Sequence, residues 1–256
     1  LLYPNPYTLN PVLLADGSSS TMITARITDR VGNVIDSANN LIDFRIDGAG
    51  SLVGITPVSA VAGEASITYK SGVIAQVSTI TAISEGLTSG VLNVETVPGL
   101  ASQLSLYPIP YTLTPDLIAD GISSTTIVAT ITDENNNREY GLNNRLIFRI
   151  TETNGASNTK LGGTVQLSST VYAVSGQAQM LLTAGTHTGN VTVTVSTGTD
   201  GDSLTPAVLN LSLVAGPADR IVLESSDTQI KANGISVATI TVKLTDANNN
   251  VLSDRT

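Results

Sequence analysis

The sequence predicts an all-β protein built as β-sandwich domains in series. Three observations carry this expectation. The chain repeats itself: Leu2-Tyr3-Pro4 returns as Leu106-Tyr107-Pro108, Tyr7-Thr8-Leu9 as Tyr111-Thr112-Leu113, and Phe44-Arg45-Ile46 as Phe148-Arg149-Ile150. Each pair stands 104 positions apart (106 − 2, 148 − 44). Within each copy, apolar residues alternate with polar ones at period two, the signature of strands with one buried and one wet face. Turn signals punctuate these runs, and no stretch shows a capped 3.6 period.

A repeat of about a hundred residues is a whole domain, well above the ~20–50 residues of a solenoid unit. Two complete copies are expected at 1–99 and 100–216. A partial third copy, at 217–256, carries the N-terminal strands only. Ala232-Asn233-Gly234 and Thr245-Asp246 mark it.

The inward strand faces are legible copy against copy. Ile23, Ala25 and Ile27 match Ile127, Ala129 and Ile131, and Ile240, Val242 and Leu244 in the third copy. Ile42, Phe44 and Ile46 match Leu146, Phe148 and Ile150. Ala65, Ile67 and Tyr69 match Ala178, Met180 and Leu182. Leu92 and Val94 match Leu209 and Leu211. Those of the two complete copies are expected in the core, whereas the stretch from Asp219 to Thr256 carries only the first strands of a sandwich and is too short to bury a core alone. The second copy is longer. Gly63-Glu64-Ala65 matches Gly176-Gln177-Ala178 at a spacing of 113, which puts nine extra residues (113 − 104) around Thr151–Gly163. Val91-Leu92-Asn93 matches Val208-Leu209-Asn210 at 117, which puts four more near Thr197–Leu204. Both insertions are expected in exposed loops. The joints, Val97-Pro98-Gly99-Leu100-Ala101 and Val214-Ala215-Gly216-Pro217-Ala218, are short and contain Pro, so an elongated array with limited bending is expected.

Composition removes several function classes. A net charge of −9 argues against nucleic acid, whose phosphates need clustered Lys and Arg, and against an anionic membrane surface. With no Cys, disulfides and thiolate metal sites are excluded. No run approaches the ~18–20 apolar residues of a membrane-spanning helix, so no membrane insertion is expected in this segment. No basic-then-apolar signal precedes the first repeat, and the chain is expected to come from a longer parent.

The motifs resemble those of bacterial immunoglobulin-like domains of the invasin/intimin type. Ala215-Gly216-Pro217-Ala218-Asp219-Arg220-Ile221 resembles the joint that opens such a domain. Ala232-Asn233-Gly234 with Ala238-Thr239-Ile240-Thr241-Val242 is similar to the family's A-D-G-x-S strand, and Ala15-Asp16-Gly17 and Ala119-Asp120-Gly121 are the earlier copies. Thr245-Asp246-Ala247-Asn248-Asn249-Asn250-Val251 resembles its T-D-x-x-G-N-x-V turn. So do Thr28-Asp29-Arg30-Val31-Gly32-Asn33-Val34 and Thr132-Asp133. The resemblance implies tandem immunoglobulin-like sandwiches on a bacterial surface protein, often as a stalk, with no conserved active site. The chain departs from the family at its Tyr3–Leu9 and Tyr107–Leu113 openings.

No constellation of catalytic residues is expected. His187 is the only His and lies in a turn-like Ala184-Gly185-Thr186-His187-Thr188-Gly189 segment that has no His in the first copy. A triad needs a base between nucleophile and acid, and no nucleophile elbow or phosphate loop is present. The best metal candidates are Asp133, Glu134, Asn135 and Asn137, hard oxygen donors suited to calcium. The equivalent Asp29–Asn33 turn keeps one carboxylate and no EF-hand spacing exists, so turn chemistry is the expected reading. Asp200-Gly201-Asp202 is a similar weak candidate. Lys70, Lys160, Lys231 and Lys243 do not recur in the complete copies, which argues against intramolecular isopeptide bonds. The Asn190 and Asn210 sequons are read as chance matches. No cofactor is expected.

The expected function is non-enzymatic: a stalk or spacer segment of an adhesin-like protein on the bacterial cell surface. Its partners would be neighbouring repeats of the parent chain or other copies of itself, and a receptor would be engaged through domains outside this segment. One alternative is a subunit of a self-assembling extracellular filament or surface layer, with the partial third repeat completed by a neighbouring chain. A further alternative is a carbohydrate-binding accessory domain, for which Tyr3, Tyr7, Tyr107, Tyr111, Tyr140 and Tyr172 are the available aromatics.

Overall fold

The computed structural model describes residues 1–5, 11–111, 116–198 and 204–252. The openings' Tyr7-Thr8-Leu9 and Thr112-Leu113, and the Asp200-Gly201-Asp202 loop, lie outside the described residues. Among the described residues there is no helix.

The first repeat contains nine strands: β1 (Leu2–Asn5), β2 (Val12–Leu14), β3 (Ser20–Arg26), β4 (Leu41–Asp47), β5 (Ser51–Val53), β6 (Val58–Ser59), β7 (Glu64–Lys70), β8 (Val77–Ile83) and β9 (Gly90–Val97). They form two sheets, ordered β1-β3-β7-β5 and β2-β9-β8-β4-β6. The second repeat follows the same plan: β10 (Gln103–Ile109), β11 (Asp116–Ile118), β12 (Ser124–Thr132), β13 (Arg145–Thr153), β14 (Lys160–Leu161), β15 (Ser168–Tyr172), β16 (Gln177–Thr183), β17 (Gly189–Thr197) and β18 (Ala207–Val214). Its sheets run β10-β12-β16-β14 and β11-β18-β17-β13-β15, strand for strand the order of the first. β2 with β9 and β11 with β18 pair in parallel, whereas β3 with β7 and β8 with β9, and their counterparts β12 with β16 and β17 with β18, pair antiparallel. The third copy contributes β19 (Arg220–Ser225) and β20 (Ile240–Thr245), an antiparallel pair.

The alternation places the core where the sequence predicts. Ile23, Ala25 and Ile27 face Ala65, Ile67 and Tyr69 of the paired strand and Ile42, Phe44, Leu92 and Val94 of the opposite sheet, all buried. Tyr69 is fully buried, and its hydroxyl donates to the Ala49 carbonyl at 2.9 Å, which satisfies the one polar atom it carries inward. Ile127, Ala129, Ile131, Leu146, Phe148, Ile150, Met180, Leu182, Leu209 and Leu211 repeat this core in the second copy. There β12 is also closed on its outer face: Thr130 is buried, and its hydroxyl accepts from Gln177, whose amide also donates to the Tyr107 hydroxyl.

The third copy's alternating apolar residues lie open, as expected of a fragment too short to bury a core alone: Ile240, Val242 and Leu244 stay 59%, 60% and 47% exposed, and among the described residues no second sheet packs on β19 and β20. One expectation is corrected. The first insertion is not wholly a loop. Part of it lengthens β13 beyond its counterpart β4, and Glu152 and Thr153 pair with Val191 and Asn190 of a correspondingly longer β17.

The chain divides into two compact units that do not follow the repeats. Unit 1 comprises Leu1–Ala101 and Thr132–Glu139, and unit 2 comprises Ser102–Ile131 and Tyr140–Thr256. A turn from the second copy thus belongs to the body of the first, and the whole partial copy belongs to the body of the second.

Candidate functional site

The site lies in the Asp-plus-Asn turns. In unit 1 the strand ends at Thr132 and the chain reverses over Asp133–Asn137, with Asn136 at φ 67°. Asn suits that left-handed position better than most residues. The Asp133 carboxylate organises the turn. Oδ1 accepts the N–H groups of Asn135 and Asn137, both at 2.9 Å. Oδ2 accepts Asn137 Nδ2 at 2.9 Å and the Gly99 N–H at 2.9 Å.

Asn137 then reaches into the first repeat's end. Its Oδ1 accepts the Ala75 N–H at 2.8 Å, and its Nδ2 donates to the Val73 carbonyl at 2.9 Å. Asn135 Nδ2 donates to the Ala15 carbonyl at 3.3 Å. Asp133 is 1% exposed.

Unit 2 repeats the arrangement bond for bond. Asp246 Oδ1 accepts the Asn248 and Asn250 N–H groups at 2.9 and 2.8 Å. Its Oδ2 accepts Asn250 Nδ2 and the Gly216 N–H, both at 2.9 Å. Asn250 Oδ1 accepts the Thr188 N–H at 3.0 Å, and Asn250 Nδ2 donates to the Thr186 carbonyl at 3.0 Å. Asn248 Nδ2 donates to the Ala119 carbonyl at 3.1 Å. Each turn is thus a clasp that, within its own compact unit, holds backbone groups of the repeat that precedes it in sequence.

Electrostatics follow from this geometry. Burial pushes the Asp133 carboxyl up. Hydrogen bonds from the Asn137 side chain and from the Gly99, Asn137 and Asn135 amides outweigh it and hold the pKa below the ordinary Asp value. Burial likewise opposes the bonds from Asn250, Gly216 and Asn248 at Asp246, and the bonds again prevail. Glu139 moves the other way, raised by burial and by the charge of Asp133.

The metal candidates therefore stand as follows. The Asp133 carboxylate accepts from four N–H donors, two on each oxygen, so its lone pairs are engaged in the turn. Asn135 and Asn137 spend their amides on the first repeat, and Glu134 is exposed. No group of three or more His, Cys, Asp or Glu side chains with metal-binding geometry occurs among the described residues.

The remaining candidates are dispersed. His187 is exposed, with Nδ1 3.0 Å from Ser157 Oγ and 3.2 Å from Thr186 Oγ1, in a loop bridge rather than beside an acid. None of the four lysines is buried: Lys160 donates to the Gly121 carbonyl at 3.3 Å and Lys243 pairs with Glu224 at 2.6 Å. Of the tyrosines, Tyr107 and Tyr111 stack at 6.3 Å with a 55° tilt, so they form no flat platform.

The clasp's backbone partners carry no motif. Ala75, Val73, Thr186 and Thr188 differ between copies because only their amides and carbonyls are used. The one signal is the Gly that precedes them, Gly72 and Gly185, spaced 113 apart (185 − 72). A Cβ on Gly185 would stand 1.7 Å from the Ser157 carbonyl oxygen, and one on Gly72 would stand 2.7 Å from the Gly50 nitrogen.

Residues 9–93 match the family described as "Glycoside hydrolase family 2 C-terminal domain 5", and a 59-residue stretch is 32% identical to "Beta-galactosidase" of Thermoanaerobacter pseudethanolicus (strain ATCC 33223 / 39E), over 23% of this chain and 8% of that enzyme. The "Inverse autotransporter adhesin YeeJ" of Escherichia coli (strain K12) is 32% identical over 245 residues. The match takes in 93% of this chain and 10% of the adhesin, so the chain spans about a tenth of that relative's length. The solved structure of Yersinia pseudotuberculosis InvD superposes with a TM-score of 0.44 at 17% identity, over 98% of this chain and 71% of that one. The motifs recur in all three copies, the two sandwiches share one topology, and an adhesin aligns along nearly the whole sequence. The chain is a run of tandem bacterial immunoglobulin-like domains of the invasin/intimin type, as exposed on the cell surface.

Proposed function

We propose that the chain is a non-enzymatic spacer of a bacterial surface adhesin, holding a distal binding element away from the cell. The observation that carries this reading is the clasp built twice from the same residues, Asp133 with Asn137 and Asp246 with Asn250. A buried, hydrogen-bonded turn that recurs from copy to copy supports a mechanical role, which is what a spacer requires. The buried, fully donated carboxylate serves that task and no chemical step. Receptor contact is assigned to other domains of the parent. Small-angle scattering of the chain is expected to give the profile of an extended particle, and the Asn137→Ala, Asn250→Ala double variant a more flexible one. A compact globule, or a profile unchanged by the double variant, overturns the reading.

One observation favours a second reading. Ile221, Leu223, Ile240 and Val242 form an open apolar face on β19 and β20. In a filament or surface layer, strands of a neighbouring chain would cover it. Light scattering at rising concentration separates the two: growth beyond the monomer supports assembly, and a constant monomer mass removes it.

A further inference from the structure

The Asp29–Asn33 turn in the first repeat is the clasp without an occupant. Its internal bonds are those of the other two: Asp29 Oδ1 accepts the Val31 and Asn33 N–H groups at 3.0 and 2.9 Å, and Oδ2 accepts Asn33 Nδ2 at 2.9 Å. Gly32, at φ 97°, takes the left-handed position held by Asn136 and Asn249. Both Asp29 and Asn33 are exposed, whereas Asp133, Asn137, Asp246 and Asn250 are buried. Among the described residues nothing bonds Asn33 Oδ1, and no glycine amide reaches Asp29 Oδ2. A cavity of about 580 Å³ opens beside the turn, with Leu1, Ile27, Asp29, Arg30 and Leu87 in its wall.

We infer that this turn is a docking surface for the C-terminal end of another repeat of the same kind. The occupant is specified by what the two filled clasps hold: a glycine N–H for Asp29 Oδ2, and a loop presenting one N–H and one carbonyl, two residues apart, to the Asn33 amide. Gly99 with Val73 and Ala75, and Gly216 with Thr186 and Thr188, are two instances of that partner. The joint would lack one bond, because Val31 stands where Asn135 and Asn248 donate to Ala15 and Ala119. A turn already shaped by its internal bonds carries a smaller ordering cost on binding. The inference rests on the spacer reading for its setting and extends it to a third joint.

The test adds a second copy of residues 1–104 ahead of Leu1 in the full chain. The added Gly99 then stands 34 residues before Asp29, as the native Gly99 stands before Asp133. Amide hydrogen exchange is read at the added Ala75 and Gly99, with and without Asn33→Ala, and at the native Ala75 with and without Asn137→Ala. Docking is expected to slow exchange at the added amides to about the rate of the native ones, with Asn33→Ala restoring at least tenfold faster exchange. Fast exchange at the added amides, or exchange indifferent to Asn33→Ala while Asn137→Ala accelerates the native site, overturns the inference. Failure of the spacer reading shows separately, as a compact scattering profile of the unextended chain.

Discussion

Asn137 accepts the Ala75 N–H at 2.8 Å across 62 positions of sequence, and Asn250 accepts the Thr188 N–H at 3.0 Å across the same 62. A side chain that meets backbone partners at constant spacing in two copies is a repeated joint, independent of what the partner's own side chains are.

Truncating that side chain has a calculable cost. Asn137→Ala leaves the Ala75 N–H and Val73 carbonyl without their partner and removes one donor from Asp133. Unsatisfied buried groups cost roughly 1–3 kcal/mol, so Asn137→Ala and Asn250→Ala are each expected to destabilise by about that amount. Asn33→Ala, at an exposed position, is expected to cost no more than about 0.5 kcal/mol. Urea titrations of the three variants check the ranking, and equal losses at all three positions contradict it.

Acid should loosen the joints before the cores. Asp133 and Asp246 have folded pKa values below the ordinary 3.8, so the stability they contribute is complete above roughly pH 5 and declines as pH falls through the range below it. Glu139, raised by burial and by Asp133, has the opposite sign: its charge opposes folding near neutrality, and protonation relieves it. Asp246→Asn is expected to flatten the acid limb of a stability–pH curve, and Glu139→Gln to raise stability at pH 7. An acid limb unaltered by Asp246→Asn overturns the assignment.

The sandwich cores were legible because burial and period two coincide: Ile23, Phe44, Tyr69 and Val94, with their counterparts Ile127, Phe148, Leu182 and Leu211, sit where the alternation put them. The turn was legible as Asp with Asn, but its role was not. Asp133–Asn137 and a solvated Asp29–Asn33 have the same local chemistry, and what separates them is contact with backbone groups of another repeat. Nor does alternation by itself report whether a facing sheet exists: Ile240 alternates as Ile127 does and lies open, and the shortness of the third copy is what foretells it.

That contrast is measurable. Ile127 and Ile240 occupy the same place in their copies, and Ile127 is fully buried while Ile240 is 59% exposed. Ile127→Ala empties a packed site and is expected to cost about 2–5 kcal/mol. Ile240→Ala is expected to cost less than about 0.5 kcal/mol. Comparable losses, read by thermal unfolding at dilute concentration, would show that another chain covers β20 in solution.

Gly185 tests whether the clasp depends on the loop behind it. Its position admits no Cβ, since the Ser157 carbonyl oxygen would lie 1.7 Å away and backbone cannot rotate aside as a side chain can. Gly185→Ala must displace the 157–187 bridge or the 185–188 loop. Either shift moves the Thr186 carbonyl and Thr188 N–H that hold Asn250. Gly141, with nothing within 4 Å of a Cβ, is the control. Gly141→Ala is expected to be neutral or stabilising by up to about 1 kcal/mol. Gly185→Ala is expected to lose several times that amount and to speed hydrogen exchange at the Thr188 amide. Exchange at Thr188 that stays slow in Gly185→Ala would mean that the loop and the clasp are mechanically separate.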